Sequence, residues 1–163
     1  MNVARVLFVF QFLLSASVLS LSFFCQYHLN IEPCVLCIVQ RLLLAFLGLL
    51  AFVAVCHPVK SPGKKGYACV LLLLSMLGLI VAGRQLWLQH LPAGQVLSCG
   101  PGLSYLLKTA PPLEILRFLL KGTQACGKVT FYWCGFSLAA WSALIFSSLC
   151  AINLAILCRF SRK

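Results

Sequence analysis

Four stretches of this chain are apolar for longer than a soluble domain of its size can hide, and that sets the fold before any single residue is considered. Residues 7–24, 37–55, 67–88 and 136–157 each approach the ~20 residues that a helix rising ~1.5 Å per residue needs to cross the ~30 Å hydrocarbon core of a bilayer. Within that core backbone N–H and C=O groups must be paired inside the spanning structure, which leaves helices or closed barrels. Runs of this length predict helices, so the expected fold is all-α, a polytopic bundle of four transmembrane helices. Only 9% of the residues are charged and 62% are hydrophobic, whereas about a quarter of a soluble domain is charged. The first run follows Arg5 and includes Ser15, Ala16 and Ser17, as a signal peptide does, but its length favours a retained span.

The formal charge is +11, from thirteen Lys and Arg against two acids, Glu32 and Glu114. In a soluble protein such an excess suggests nucleic acid; here many of the basic residues flank apolar runs, and membrane anchoring and orientation are the better reading, with no nucleic-acid partner. Arg5 precedes the first run, Lys60, Lys64 and Lys65 fall in the connection "HPVKSPGKKG", and Arg159, Arg162 and Lys163 close the chain. With four spans these segments share one side, which the positive-inside rule makes cytoplasmic, together with both termini. Residues 25–36 and 89–135 then form two loops on the outer side. Within the second, "PPLEILRFLLKG" has leucines near helical spacing between two prolines and a glycine. It predicts a short amphipathic helix that either lies along the membrane surface or packs on the other spans.

That topology sorts the ten cysteines. Cys34 and Cys37 lie in or beside the first outer loop, and Cys99 and Cys126 in the second. On the outer side of a bacterial inner membrane, paired cysteines normally form disulfides. Cys56, Cys69, Cys150 and Cys158 fall in spans or at their cytoplasmic ends and are expected to be reduced packing residues. Cys25 and Cys134 lie near the outer boundary. Trp87, Tyr132 and Trp133 are at interface depth, where aromatic belts form.

The stretch "EPCVLCIVQR" is the most informative. Pro33 suits the first helical position, and from there Cys34, Cys37 and Arg41 would share one face within an arc of about 60°. A helix N-terminus and a cation one turn away both favour an anionic sulfur, the form that attacks disulfides. An arginine about one turn inside a span costs a few kcal/mol unless it reaches the interface or finds a partner. It is either an anchor or a positive charge placed where anionic character develops. Zinc sites also use CxxC, and Cys99 and Cys126 could complete a four-thiolate set, but no second CxxC recurs. Covalent haem would need histidine after Cys37, where Ile38 stands. Spacing and compartment together favour redox thiol chemistry over a metal site.

These residues carry a resemblance. "EPCVLCIVQR", "GRQLWLQHLPAGQVLSCGPGLSYLL", "KGTQACGKV" and the pattern of Gly135, Ser137 and Trp141 make the chain, nearly end to end, similar to the disulfide bond formation protein B family. Its members are bacterial inner-membrane enzymes that reoxidise the periplasmic thiol oxidase DsbA and pass the electrons to a quinone. The resemblance implies that Cys99 is attacked by the DsbA-type partner, that Cys126 is its disulfide mate, and that Cys34 links to Cys126 during turnover. It further implies that Cys37 meets the quinone, ubiquinone or menaquinone, with Arg41 and His90 beside it. No metal is implied. Lys128, Thr130 and Phe131 depart from two acids and a tryptophan common after the second-loop cysteine, and Ala139 and Ala140 from a proline and an acid; these bear on which partner docks. Among other classes, a metal-transport protein would favour intramembrane carboxylates or a methionine path. The spans have no carboxylate, and the methionines are Met1 and Met76. A structural subunit would tolerate loss of its cysteines.

Overall fold

The computed structural model describes residues 3–28, 34–57, 61–90, 132–133 and 136–161. Four helices dominate: α1 (Val3–His28), α2 (Val35–Cys56), α3 (Ser61–His90) and α4 (Leu138–Ser161). All four are long and apolar enough to cross a membrane, and the all-α expectation holds. At ~1.5 Å per residue they run about 33 to 45 Å. They overshoot the hydrocarbon core at their ends, where water and headgroups no longer select for apolar side chains. That is why each is longer than the apolar run that announced it.

Beyond that general lengthening, three boundaries differ from the sequence expectation. Residues 61–66, expected in the connection between the second and third spans, are helical; proline is tolerated in a first turn because the N–H it lacks has no partner there anyway. Phe136 and Ser137, expected in the last span, instead form strand β2, which pairs antiparallel with β1 (Tyr132–Trp133), Tyr132 opposite Ser137 and Trp133 opposite Phe136. Ser137 then caps α4, its hydroxyl accepting from the Ala140 N–H at 3.3 Å. Pro33 was expected to open α2, but the helix begins two residues later, at Val35, with Cys34 as its N-cap. The amphipathic helix expected at 111–122 lies outside the described residues, as do Cys99, Cys126 and Cys134.

The helices pack in chain order. The contacts of α3 with α4 are the most extensive, followed by α1 with α2 and α2 with α3, and α4 meets α1 lightly. One periodic stripe per helix faces inward. On α3 it runs Ala68, Leu71, Ser75, Gly78, Ala82, Gln85 and Leu88, alternating steps of three and four along most of its length. Phe8, Leu47, Leu71, Phe146, Leu149 and Ile156, from all four helices, are almost fully buried in one core. Two glycines permit the close approaches. A Cβ on Gly78 would stand 2.2 Å from the Phe146 ring, and one on Gly48 would stand 3.2 Å from the Ser15 Cβ. The outward stripes carry Phe10, Leu13, Phe46, Leu49, Leu73, Ile80, Leu144 and Leu154, all exposed, a surface for lipid rather than water. Cys56, Cys69 and Cys158 are on that outer surface and Cys150 is half-buried. All four are free thiols, as expected, and the packing that Cys56, Cys69 and Cys158 offer is toward the outer surface rather than the core.

Candidate active site

The site is assembled at the end of the bundle where α1 and α3 finish and α2 begins. Cys34 has extended backbone angles (φ −68°, ψ 164°) and its sulfur accepts the N–H of Cys37 at 3.4 Å. It does what Ser or Asp usually does at a helix start, while its carbonyl accepts the first helical bond from Ile38 (3.1 Å). The cap and the third helical residue are therefore the two cysteines, and this local geometry brings their sulfurs to 3.0 Å, beyond the ~2.05 Å of a bond but in contact. Cys34 is buried with Leu36 and Leu88, and Cys37 and Val81 pack against them.

Gln85 reaches this pair from α3. Its Nε2 lies 3.3 Å from the Cys37 sulfur and 3.6 Å from the Cys34 sulfur, and its Oε1 accepts from Gln40 Nε2 at 2.9 Å. Both carboxamides are buried. Because Gln40 occupies the carbonyl side, the NH2 side of Gln85 faces the sulfurs. Neither glutamine was singled out from the sequence. The available signal was a carboxamide at a position in phase with a buried apolar stripe, Val81–Gln85–Leu88 on α3 and Leu36–Gln40–Leu44 on α2, where a buried polar group needs a partner.

Arg41, two turns below the cap, points to α1. Its Nη1 donates to Gln26 Oε1, its Nη2 donates to the Ser22 carbonyl at 3.2 Å, and its guanidinium lies 5.5 Å from the centre of the Phe23 ring. The described helices contain no Asp or Glu, so neutral acceptors and a ring face offset the cost of a cation at this depth. Gln26 was also missed; in "FFCQYH" it is the one carboxamide among aromatics. The face shared by Cys34, Cys37 and Arg41 is thus real in register, but the guanidinium's hydrogen bonds run to the neighbouring helix rather than along its own.

His90 is the last residue of α3, exposed, and its Nδ1–H donates to the Leu86 carbonyl at 2.8 Å. A neutral ring held so presents Nε2 as an acceptor. Ser137 ties α4 to this end of α3 by donating to Gln89 Oε1 at 2.9 Å. Trp87 is exposed close by, and Phe23 and Phe24 are exposed on α1. Of the residues expected to form the site, Cys34 and Cys37 meet, Arg41 and His90 lie at the same end of the bundle, and Cys99 and Cys126 are outside the described residues.

The chain that builds this site has relatives among known proteins. The family model "Disulfide bond formation protein DsbB" matches residues 4–156. The chain belongs to the DsbB family. It is similar to the Disulfide bond formation protein B of Marinobacter nauticus, 38% identical over 156 residues that cover 96% of this chain and 93% of the relative. It is likewise similar to those of Hahella chejuensis, 37% identical with 91% and 90% covered, and Stutzerimonas stutzeri, 38% identical with 94% and 91% covered. As a DsbB family member it is a multi-pass membrane protein and a disulfide-forming oxidoreductase.

Proposed function

We propose that this chain, a single membrane domain over residues 1–163, reoxidises a periplasmic DsbA-type thiol oxidase and delivers the electrons to a quinone of the inner membrane. Both termini and the lysine-rich α2–α3 connection face the cytoplasm, and Cys34, Cys37, Cys99 and Cys126 face the periplasm. The observation that carries this is the contact between the Cys34 and Cys37 sulfurs at a helix start in an apolar bundle, in a chain of the DsbB family.

The exchange runs through four sulfurs. A thiolate of the reduced partner attacks Cys99, and Cys126 leaves as a thiolate. Cys126 then attacks Cys34, and the electron pair of the Cys34–Cys37 bond leaves on Cys37. The partner's second thiol displaces Cys99, so the partner departs as a disulfide and its two electrons remain on the thiols of this chain. Each step passes through a mixed disulfide.

The residues near Cys37 suit a planar, apolar acceptor with carbonyl oxygens. Arg41 uses two of its five N–H donors on α1, Phe23 supplies a flat ring beneath it, and the bundle surface at this end is aromatic. Arg41, Cys37 and His90 would hold the quinone, which when bound supplies a two-electron oxidant. Arg41 donates hydrogen bonds and positive charge, His90 offers Nε2 at the interface, and the apolar wall of Leu36, Val81 and Leu88 shields the buried Cys34 while Cys37 stays half-exposed.

The test is turnover by the purified protein in detergent with a reduced DsbA-type partner and either ubiquinone or menaquinone, followed by quinone absorbance. Wild type should turn over, and Cys37→Ser and Cys99→Ser should not. Stoichiometric bound zinc or copper and no turnover with either quinone would replace the redox reading with a metal site.

A further inference from the structure

The bond from Gln85 to the two reactive sulfurs has a chemical consequence. When an incoming thiolate bonds to the Cys34 sulfur, the Cys34–Cys37 bond breaks and its electron pair leaves on Cys37. No proton moves in that step, so the charge on Cys37 must be met by whatever surrounds it. On the side that faces the bundle that surrounding is hydrocarbon: Leu36 and Leu88 are buried, and Val81 packs beside them. Arg41, the cation on the same helix, has its hydrogen bonds directed to Gln26 and Ser22 of α1. His90 donates to Leu86, and the first turns of α4 carry no charge. Among the described residues, the Cys37 backbone N–H donates to the Cys34 sulfur and the Gln85 carboxamide reaches both sulfurs.

We infer that Gln85 is a catalytic residue, its carboxamide N–H groups stabilising the thiolate as the Cys34–Cys37 disulfide opens, and that Gln40 is a positioning residue that holds this amide with its donors toward sulfur. The proposal rests on the reading of Cys34 and Cys37 as a redox pair. A free carboxamide can turn either edge to a neighbour, and its oxygen edge toward a thiolate would be repulsive. The 2.9 Å bond from Gln40 to Gln85 Oε1 removes that choice. Both glutamines are at least nine-tenths buried, so water does not replace either bond. A donor that favours the reduced, anionic form also makes the pair a stronger oxidant, because the potential of a dithiol couple rises as its reduced form is stabilised.

The experiment uses the full-length protein in detergent, with the Cys34–Cys37 peptide resolved by mass spectrometry so that the other cysteines do not interfere. Two quantities are read: the rate at which dithiothreitol opens the pair, and the fraction of disulfide across glutathione ratios. Gln85→Met keeps an unbranched side chain of similar length but no donor; Gln85→Leu is a second variant should the first fold poorly. Either should open about tenfold more slowly, with the glutathione equilibrium moved about tenfold toward the disulfide, equivalent to about 30 mV for a two-electron couple. Gln40→Leu should move the same equilibrium in the same direction by about threefold, which a purely structural glutamine would not do. If the wild-type pair forms a disulfide and the folded Gln85 variants match it in both quantities, the role of Gln85 is wrong while the redox pair stands. If the wild type forms no Cys34–Cys37 disulfide at any ratio, the redox pair and this inference fall together.

Discussion

Two polar clusters lie inside this bundle, and they use the same chemistry differently. At the cysteine end, Gln40 and Gln85 form a chain that finishes on two sulfurs, and every link has a partner. About fifteen residues back along α1 from Gln26, roughly 22 Å at the helical rise, Gln11 donates to Asn153 Oδ1 at 3.1 Å across the light α1–α4 seam, and Asn153 donates to the Leu149 carbonyl at 2.9 Å. There, among the described residues, Gln11 Oε1 and Ser15 Oγ are buried with no hydrogen-bond partner. A carboxamide pair in hydrocarbon can orient a donor toward a reacting group, or it can fasten two helices that share little packing. The first use demands that every atom be satisfied, since a stray donor would misdirect the chemistry. The second tolerates leftover acceptors as long as the fastening bond is made.

The largest effect that tests this division comes from Cys34→Ser. Serine is a good N-cap, so α2 should start where it does now and thermal stability should barely change, while thiol-to-quinone turnover falls by a factor of about a thousand or more, to the limit set by losing a nucleophilic centre. Asn153→Leu, by contrast, should leave turnover within about twofold. Equal loss in both, with both folded, would erase the distinction between a chemical and a fastening cluster.

Next is Gly78→Leu. Below the Ser137–Gln89 bond at its end, the α3–α4 seam closes by packing, and the Phe146 ring already occupies the space of a Cβ at Gly78. Overpacking there should cost about 1–3 kcal/mol, read as a lower denaturation midpoint in detergent. An unchanged midpoint would mean that this seam does not depend on the close approach.

A double-mutant cycle on Gln11→Leu and Asn153→Leu should give a coupling of about 1 kcal/mol, in the range measured for interhelical hydrogen bonds in membranes. A coupling near zero would reduce the pair to an incidental contact. Smallest of all, Ser15→Ala removes a buried hydroxyl with no hydrogen-bond partner among the described residues. It should shift stability by no more than a few tenths of a kcal/mol toward the folded state, because the lost group brings only its desolvation cost; a clear loss instead would reveal a bond made by Ser15.

Much of the architecture was legible because hydrophobic length is a local property. Each apolar run marked a helix, and the ends moved outward only where the membrane stops selecting. The CxxC was legible for the same reason: Cys34 and Cys37 are neighbours in sequence, and one turn of helix is enough to make them neighbours in space. The start of α2 was misjudged by two residues because the sulfur of Cys34 took the cap position, a role more usual for oxygen. Phe136 and Ser137 were read as helix because they continue an apolar run, whereas their pairing with Tyr132 and Trp133 is a contact outside that run.

Gln85 and Gln26 were not legible as site residues. Each is an ordinary carboxamide until another helix brings it to Cys37 or to Arg41, 48 and 15 residues away in the chain. Arg41 illustrates both sides. Its position predicted a charge that must find a partner, and the cost of an unpaired cation in hydrocarbon made that expectation firm. Which partner it took depended on α1 lying against α2. The sequence by itself determined what must be buried, what must span and which two sulfurs must meet, because those follow from composition and helical periodicity. Only the tertiary structure decided where each polar side chain inside the bundle spends its hydrogen bonds, because that depends on which faces of different helices come together.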